Sequence, residues 1–476
     1  MSRGQTARVG IFGIGLAAYW PQFEGLHERL EGYQQGIGRR LEEMGAQVVS
    51  AGLVDSPQGA RRAGGELAAA DLDLVLVYTA TYATSSQVLP VVQAAAKPVV
   101  ILNLQPTRTL DYEAMTTGEW LANCSACCVP EIAGAFTRAG IRYRTVTGTL
   151  LEDDPAWDAL REWLDAAQAV RSLRTARLGF LGHTYPGMLD MYSDFTQVHA
   201  QTGAHVEVLE IDDLVERVES ADAAAVERKG DEIRATFDLA DAGVDPIAAE
   251  ITPEIFEWSA RVAVGLDRLV ADFELDGLTY YYRGVGGNAA ERVTAGLIVG
   301  NSLLTARGIP ASGEGDLKTN IAMLLLDRLG AGGSYTEFYA LDFDEQFVLM
   351  GHDGPGHLAI AEGRPVARAL QLYHGKSGAG LSIEMKVRLG PVTILGVSQT
   401  ADGRLKLLAA EGESIPGPTF KIGNTNSRIR FAADPRDFFD TWCSHGPTHH
   451  VALGIGRQVA RLRKVADLLS LELAVV

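Results

Sequence analysis

The sequence predicts an α/β chain with two doubly wound parallel-sheet domains followed by a β-rich, barrel-like C-terminal domain. Three observations lead there. Short apolar runs rich in β-formers alternate with helical segments from the N-terminus, the grammar of strand–helix–strand units in a parallel sheet. The alternation restarts after residue 170. Beyond about Gly330 glycine and proline become dense, strands shorten and hairpin signals appear. The 476 residues suffice for two to four domains, and the expected division is 1–170, 171–328 and 329–476.

In the first domain Arg8–Phe12 reads as a strand ending at Gly13-Ile14-Gly15, a tight turn that lacks the full dinucleotide fingerprint. A helix over Gly25–Met44 carries apolar residues on one face. The strand Gln47–Leu53, helix Gln58–Ala69, buried strand Leu72–Thr79 and helix Ser85–Ala95 follow. The strand Pro98–Leu104, helix Glu131–Arg138 and strand Ile141–Val146 complete the domain. A boundary is expected near Gln168–Thr175.

The second domain opens with the strand Arg177–Gly182 and a helix near Met188–Thr202. The strand His205–Ile211 and a charged helical region, Leu214–Ala242, come next. The helix Ser259–Phe273, the strand Gly277–Tyr282 and the helix Glu291–Thr305 then deliver the loop Ser312-Gly313-Glu314-Gly315-Asp316. His183-Thr184-Tyr185-Pro186-Gly187-Met188 follows the first strand, where open α/β sheets place ligand loops, and lacks the ending of a phosphate loop. In the third domain Val392–Thr400, Ala401-Asp402-Gly403 and Arg404–Ala409 form a hairpin pattern, and a helix over Gly456–Leu469 closes the chain.

Hydrophobic residues at 47% and charged residues at 21% indicate a globular protein. A net charge of −18, with no basic stripe among aromatics, argues against nucleic-acid and anionic-membrane partners. No apolar run approaches the ~18 residues of a membrane span. Met1-Ser2-Arg3-Gly4 leads into Val9-Gly10-Ile11-Phe12 without the pattern of a secretory signal, so the protein is expected to be cytoplasmic. Cys124, Cys127 and Cys128 cluster among small residues, which predicts packed, reduced thiols rather than a four-thiolate zinc site completed by Cys443.

The chemistry concentrates in Glu314, Glu337, His352 and His450. Each stands at the edge of an apolar segment, where a loop can aim a side chain into a cleft. Two carboxylates and two imidazoles make a mixed O/N donor set suited to a manganese-like divalent ion with open positions. His449 and His450 are adjacent. On one strand their rings would point to opposite faces, so only one is expected in a given site.

From about Arg283 onward the chain resembles the L-arabinose isomerase family, relatives of the L-fucose isomerases. Gly313-Glu314-Gly315-Asp316-Leu317-Lys318-Thr319 is similar to the family's Gly-Glu-Gly-Asp-Trp-Lys-Thr. Thr336-Glu337-Phe338-Tyr339 resembles its Met-Glu-Asp-Tyr, Leu349-Met350-Gly351-His352 its Leu-Gly-Ser-His, and Thr448-His449-His450 its Ala-His-His. The resemblance implies that Glu314, Glu337, His352 and His450 hold Mn2+ or a similar ion, and that Glu314 and Glu337 also act as the acid/base pair. It implies aldose–ketose interconversion through an enediol. It places Asp316, which could equally be a helix N-cap, and His449 near the substrate. It also implies a homo-oligomer, a hexamer or trimer, whose active sites are shared between subunits.

The departures concern sugar recognition. Where the family carries Gln-His-Leu-Tyr-Gly, this chain has Gly15-Leu16-Ala17-Ala18-Tyr19-Trp20. A family Ala-His-Gly-Gly-x-Glu falls on Ala126-Cys127-Cys128-Val129-Pro130-Glu131, and a family Glu after the first metal His falls on Pro355. Tyr19, Trp20 and His183 are candidates for replacement sugar contacts. Another metal-dependent sugar enzyme, an epimerase or dehydratase, and a non-catalytic sugar-binding protein are the alternative readings.

Overall fold

The computed structural model describes residues 5–151, 154–283, 286–372 and 378–476. They fall into two compact units, Gln5–Arg171 and Ser172–Val476.

The first unit is built on five parallel strands: β1 (Arg8–Ile14), β2 (Gln47–Val54), β3 (Leu74–Tyr78), β4 (Val99–Gln105) and β5 (Tyr143–Thr149). Their order, β2-β1-β3-β4-β5, is a doubly wound one. The central strand β3 is apolar at every residue and wholly buried, as a strand covered on both faces must be. The helix Leu26–Glu43 buries Leu26, Leu30, Ile37 and Leu41, the stripe that its spacing predicts. The expected helix Ser85–Ala95 is instead a 3-10 turn, Ser85–Gln87, and a separate helix, Leu89–Ala95. Pro90, which has no N–H to donate, stands in the first turn of the second piece. Helices Thr117–Asn123 and Pro155–Arg174 add to the predicted elements.

The expectation of three reduced thiols is corrected here. Cys124 and Cys127 are joined in a disulfide, because the turn between Thr117–Asn123 and the helix Val129–Arg138 brings their Cα atoms to 6.1 Å. Cys128 remains a buried free thiol, pushed up to about 11 by desolvation. Cys443 is free and exposed in the helix Pro435–Ser444.

The second unit opens with β6 (Arg177–Gly182), β7 (His205–Leu209), β8 (Asp238–Leu239), β9 (Ala248–Ala249), β10 (Gly277–Tyr281) and β11 (Ala311–Ser312). A parallel sheet runs β11-β10-β6-β7. The chain leaves β6 toward β7 and returns across it to β10, which makes the C-terminal ends of β6 and β10 the switch point of the sheet. Leu181, Leu214, Val218, Val262, Leu266 and Leu278 belong to its core.

Two predicted helices break and a third is shortened. The charged region becomes Ile211–Glu219 and Ala223–Thr236, with Asp222 capping the second. The segment Glu291–Thr305 splits at Gly296 into Ala289–Ala295 and Leu297–Ala306. A Cβ at Gly296 would stand 3.1 Å from both Trp258 and Val262 of the helix Pro253–Asp272, so the break lets two backbones approach. The helix expected from Met188 begins only at Phe195, where Asp194 accepts from the Thr196 and Gln197 N–H groups. Residues 183–194 are therefore a long loop.

The remaining strands are β12 (Ser334–Asp342), β13 (Phe347–His352), β14 (Val366–Leu370), β15 (Ser382–Glu384), β16 (Gly390–Gln399), β17 (Leu405–Ile415), β18 (Thr425–Phe431), β19 (His450–Ile455) and β20 (Glu472–Val475). Six of them pair antiparallel in the order β16-β19-β12-β13-β18-β17, and β17 pairs back onto β16, closing a barrel. Its apolar filling includes Val348, Met350, Ile394, Leu408, Ile429, Val451 and Trp442. The predicted hairpin is β16–β17, turning at Gly403 with φ 82°. The helix Val459–Leu469 does not close the chain: β20 follows and adds to β17 in parallel. β14 and β15 make a small separate sheet with β8 and β9.

The helix Leu317–Arg328 joins the parallel sheet to the barrel. Every residue in it except Asp327 is buried, including the polar Lys318, Thr319, Asn320 and Arg328. The Asn320 amide donates to the carbonyls of Leu278 and Pro310, tying the helix to β10 and to the approach to β11.

Candidate metal centre

Glu314 follows β11 in a loop whose backbone is left-handed, with φ 61° at Glu314 and 70° at Gly315. A non-glycine residue held there costs on the order of 1–2 kcal/mol, and neighbouring strands hold it. The Glu314 carbonyl accepts from Tyr185 N–H at 2.8 Å, and Gly315 N–H donates to Tyr280 O at 2.9 Å. A Cβ on Gly315 would lie 2.5 Å from His183 O and 2.6 Å from Thr184 Cα, so only glycine fits under this loop. Glu314 thus emerges at the C-terminal edge of the sheet, beside the loop that leaves β6.

The barrel supplies the other three residues. Glu337 on β12 is the direct cross-strand partner of His450 on β19 and, on its other side, of Gly351 next to His352 on β13. Directly opposed residues place their Cβ atoms about 4.5–5.5 Å apart on one face. Ligand atoms of Glu337, His352 and His450 all lie within 4.8 Å of one another. His352 Nε2 and His450 Nε2 face each other at 3.2 Å. Glu314 Oε1 is 3.9 Å from His352 Nε2, and Glu314 Oε2 is 3.8 Å from His450 Nε2. All four sequence-predicted residues therefore converge.

Behind them lies a polar layer. Asp316 is fully buried and caps the helix Leu317–Arg328, its Oδ1 accepting from Thr319 N–H at 2.9 Å. Its Oδ2 accepts from Thr319 Oγ1 at 2.7 Å and lies 3.1 Å from His450 Nδ1. With the proton of His450 on Nδ1, the Nε2 lone pair points at the cluster. The Tyr335 hydroxyl is 2.7 Å from His450 Nδ1 and donates to Gly313 O at 3.3 Å. Asp353 Oδ1 is 3.3 Å from His352 Nδ1. Neither Tyr335 nor Asp353 stands out in the sequence except as a neighbour of a predicted ligand.

Electrostatics follow from this crowding. Desolvation, with the like charges of Glu337 and Asp353, holds Glu314 above the usual carboxylate range despite the two histidines. For Asp316 burial acts upward, but hydrogen bonds from His450 and Thr319 keep it below its ordinary value. Burial opposes the charged form of His450, and Asp316, Glu314 and Glu337 outweigh it and raise its pKa.

The adjacent-histidine expectation needs correcting. β19 begins at His450, so His449 precedes the strand and strand alternation does not apply to it. The two rings lie 3.8 Å apart, and His449 offers a nitrogen within 4.8 Å of Glu314 and His450 atoms. His449 also meets Asp190, at 2.6 Å from Nδ1 and 3.0 Å from its backbone N–H. His183 is exposed, its ring 5.2 Å from that of Tyr281, which in turn lies 4.6 Å from Tyr185. Tyr19 and Trp20 belong to the first unit. There Trp20 bonds Asp55 at 2.8 Å and covers Gly15, while Tyr19 packs edge-on against Phe23.

These residues fit a divalent ion. Two imidazole Nε2 atoms converge at 3.2 Å, and Glu314 Oε2 is buried with no hydrogen-bond partner among the described residues. A buried carboxylate oxygen aimed at two imidazoles is the donor chemistry a hard-to-borderline cation satisfies.

No protein-family model matches the chain. It is 26% identical to an L-arabinose isomerase from Nocardioides over 444 residues, 90% of this chain and 85% of that one. It is 23% identical to an L-arabinose isomerase from Clavibacter sepedonicus, covering 93% and 88% of the two chains. A sulfoquinovose isomerase from Priestia aryabhattai is 27% identical over 173 residues, 36% of this chain and 38% of that one. A solute-binding protein from Actinobacillus succinogenes solved with D-allose covers 64% of this chain at 12% identity, with a TM-score of only 0.17 over 77% of its own length. Similarity to L-arabinose isomerases spans both units and supports reading the chain as a divergent member of the L-arabinose isomerase family.

Proposed function

We propose that the protein is an aldose–ketose isomerase working through an enediol, with one divalent ion, manganese or a close equivalent, held by Glu314, Glu337, His352 and His450. The observation that carries this reading is the convergence of Glu337, His352 and His450 within 4.8 Å, with Glu314 at 3.8–3.9 Å from both imidazoles. The relatives named L-arabinose isomerase and sulfoquinovose isomerase support the reaction class.

Aldose-to-ketose conversion takes the proton from C2, protonates O1 to give the enediol, removes the proton from O2 and delivers one to C1. Atoms and electrons balance without a redox cofactor. A group above the usual carboxylate range and a second carboxylate nearby suit that exchange, because one can donate while the other accepts. Glu314, which burial raises in the metal-free protein, and Glu337 are the two carboxylates of that exchange. The ion, when bound, polarises the substrate's carbonyl and acidifies its neighbouring hydroxyl. Asp316 and Tyr335 hold His450 in place, and the left-handed loop holds Glu314.

The altered first loop bears on specificity. Family Gln and His are replaced by small residues and by Tyr19 and Trp20, so the sugar hydroxyls they would bond lose those partners, which relaxes or redirects preference. We place the enzyme in the cytoplasm, as a trimer or hexamer whose subunits share sites. The test is a chelated sample against a panel of pentoses, hexoses and 6-deoxyhexoses, with Mn2+ restored. Isomer formation that disappears on chelation and returns with Mn2+ supports the reading. Full activity after exhaustive chelation, or no isomer from any sugar, overturns it.

A further inference from the structure

The loop of residues 183–194 carries an acidic residue that the isomerase reading does not use. Asp190 Oδ2 accepts twice from one residue: from the His449 backbone N–H at 3.0 Å and from its ring at Nδ1, at 2.6 Å. The two residues are 259 apart in sequence, so this is a tertiary clamp and not a local turn. Burial acts to raise the Asp190 carboxyl, and the His449 bonds hold it below its ordinary value, so it stays an acceptor at neutral pH.

The loop itself is pinned. Lys318, 1% exposed in the helix Leu317–Arg328, donates to the carbonyl of Tyr192 at 2.8 Å and reaches Ser193 Oγ at 3.4 Å. Met191, between Asp190 and Tyr192, is fully buried. A buried lysine thus fixes the backbone two residues beyond Asp190, and Asp190 grips the residue that precedes β19. With Nδ1 engaged, Nε2 is the ring nitrogen of His449 left for any other partner.

We propose that Asp190 is a positioning residue that fixes His449 in its Nδ1–H tautomer, leaving Nε2 as a hydrogen-bond acceptor for a sugar hydroxyl beside the Glu314–His450 cluster. An acceptor at this place selects a hydroxyl, which can donate, over a group that cannot. An imidazole oriented by a carboxylate does this without reorganising when the sugar arrives, whereas a free ring samples both tautomers. The kinetic part of the inference rests on the isomerase reading. The tautomer part does not.

The experiment compares wild type with Asp190→Asn, Asp190→Ala and Asp190→Glu. Histidine labelled with 15N, assigned through His449→Gln, reports the His449 tautomer in metal-free protein. The expected result is the Nδ1–H form in wild type and Asp190→Glu, and a shift to Nε2–H or a mixture in Asp190→Asn and Asp190→Ala. KM for the best aldose rises roughly tenfold in Asp190→Asn with a smaller change in kcat, Mn2+ affinity stays within about twofold, and Asp190→Glu recovers most of the loss. One hydrogen bond is worth about this much. An unchanged His449 tautomer in Asp190→Asn and Asp190→Ala overturns the proposal. A fall in Mn2+ affinity parallel to the loss of activity also overturns it, because Asp190 would then act through the ligand set. A wild type with no isomerase activity defeats the functional reading, while the tautomer comparison still decides the role of Asp190.

Discussion

His450 and Asp316 form one unit: Nδ1 of the imidazole lies 3.1 Å from Oδ2 of the carboxylate, and both side chains are wholly buried. The same carboxylate caps the helix Leu317–Arg328. A helix start and a candidate ligand therefore share one acid, and losing it is felt in both.

Replacing Asp316 by Ala separates these effects from simple loss of activity. Without the cap and the bond to His450, stability falls by about 1–3 kcal/mol, and Mn2+ affinity falls about 10–100-fold. Urea unfolding and equilibrium metal binding measure the two. An Asp316→Ala protein that binds Mn2+ as wild type does would show that His450 needs no such partner.

Glu314 sits at φ 61° with its carboxylate half-buried near Glu337 and Asp353. Glu314→Gly relieves the backbone strain and removes a crowded charge. The metal-free variant is expected to be more stable than wild type by about 1 kcal/mol, while metal-dependent turnover is lost. Glu314→Gln, which keeps the strain, should lose turnover without the same gain. A less stable Glu314→Gly would mean that the carboxylate stabilises the loop more than its backbone geometry costs.

Gly315→Ala moves the other way. The added methyl would overlap His183 O and Thr184 Cα in a left-handed conformation. A loss of roughly 2 kcal/mol or more is expected, together with weaker sugar binding as the β6 loop is displaced. A free energy of urea unfolding within about 0.5 kcal/mol of wild type would contradict the packing described.

The raised pKa of His450 has a signed consequence for the metal-free protein. Folded His450 holds its proton above the ordinary 6.5, through Asp316, Glu314 and Glu337 acting against burial. Its contribution to stability is fully present below 6.5 and is lost as pH climbs through the folded value. Above pH 6.5, chelated wild type should lose stability faster with rising pH than His450→Gln. Metal must displace that proton, so Mn2+ affinity should rise over the same interval. Parallel stability curves for the two proteins would refute the assignment.

L-arabinose is expected to be no better than one of several substrates. Steady-state kinetics over the sugar panel checks this, and a strong exclusive preference for L-arabinose would show that Gly15–Trp20 matters less to recognition than its altered sequence suggests.

Much of the fold was legible because strand and helix periods differ. The buried run at β3 and the stripe on Leu26–Glu43 declare themselves in the sequence. Breaks inside helices did not, because Gly296 interrupts its helix for the sake of Trp258 and Val262, which no local pattern reveals. The four converging residues were readable through short motifs. Their supporting groups were less so: Asp190 meets His449 from 259 residues away, and the β19 boundary that frees His449 from alternation is one residue wide. The disulfide went unforeseen because small neighbours say nothing about the turn that joins Cys124 to Cys127.

The closed barrel also sets a timetable. His352 and His450 are 98 residues apart, and the strands that carry them meet only across β12. Bringing such distant segments together is slow, because loop-closure entropy is lost before the contacts form. A chain leaving the ribosome presents Glu314, Glu337 and His352 well before His450 exists. Tight capture of a cation should therefore be among the last events of maturation, and Mn2+ added to a refolding sample would report ring closure rather than collapse.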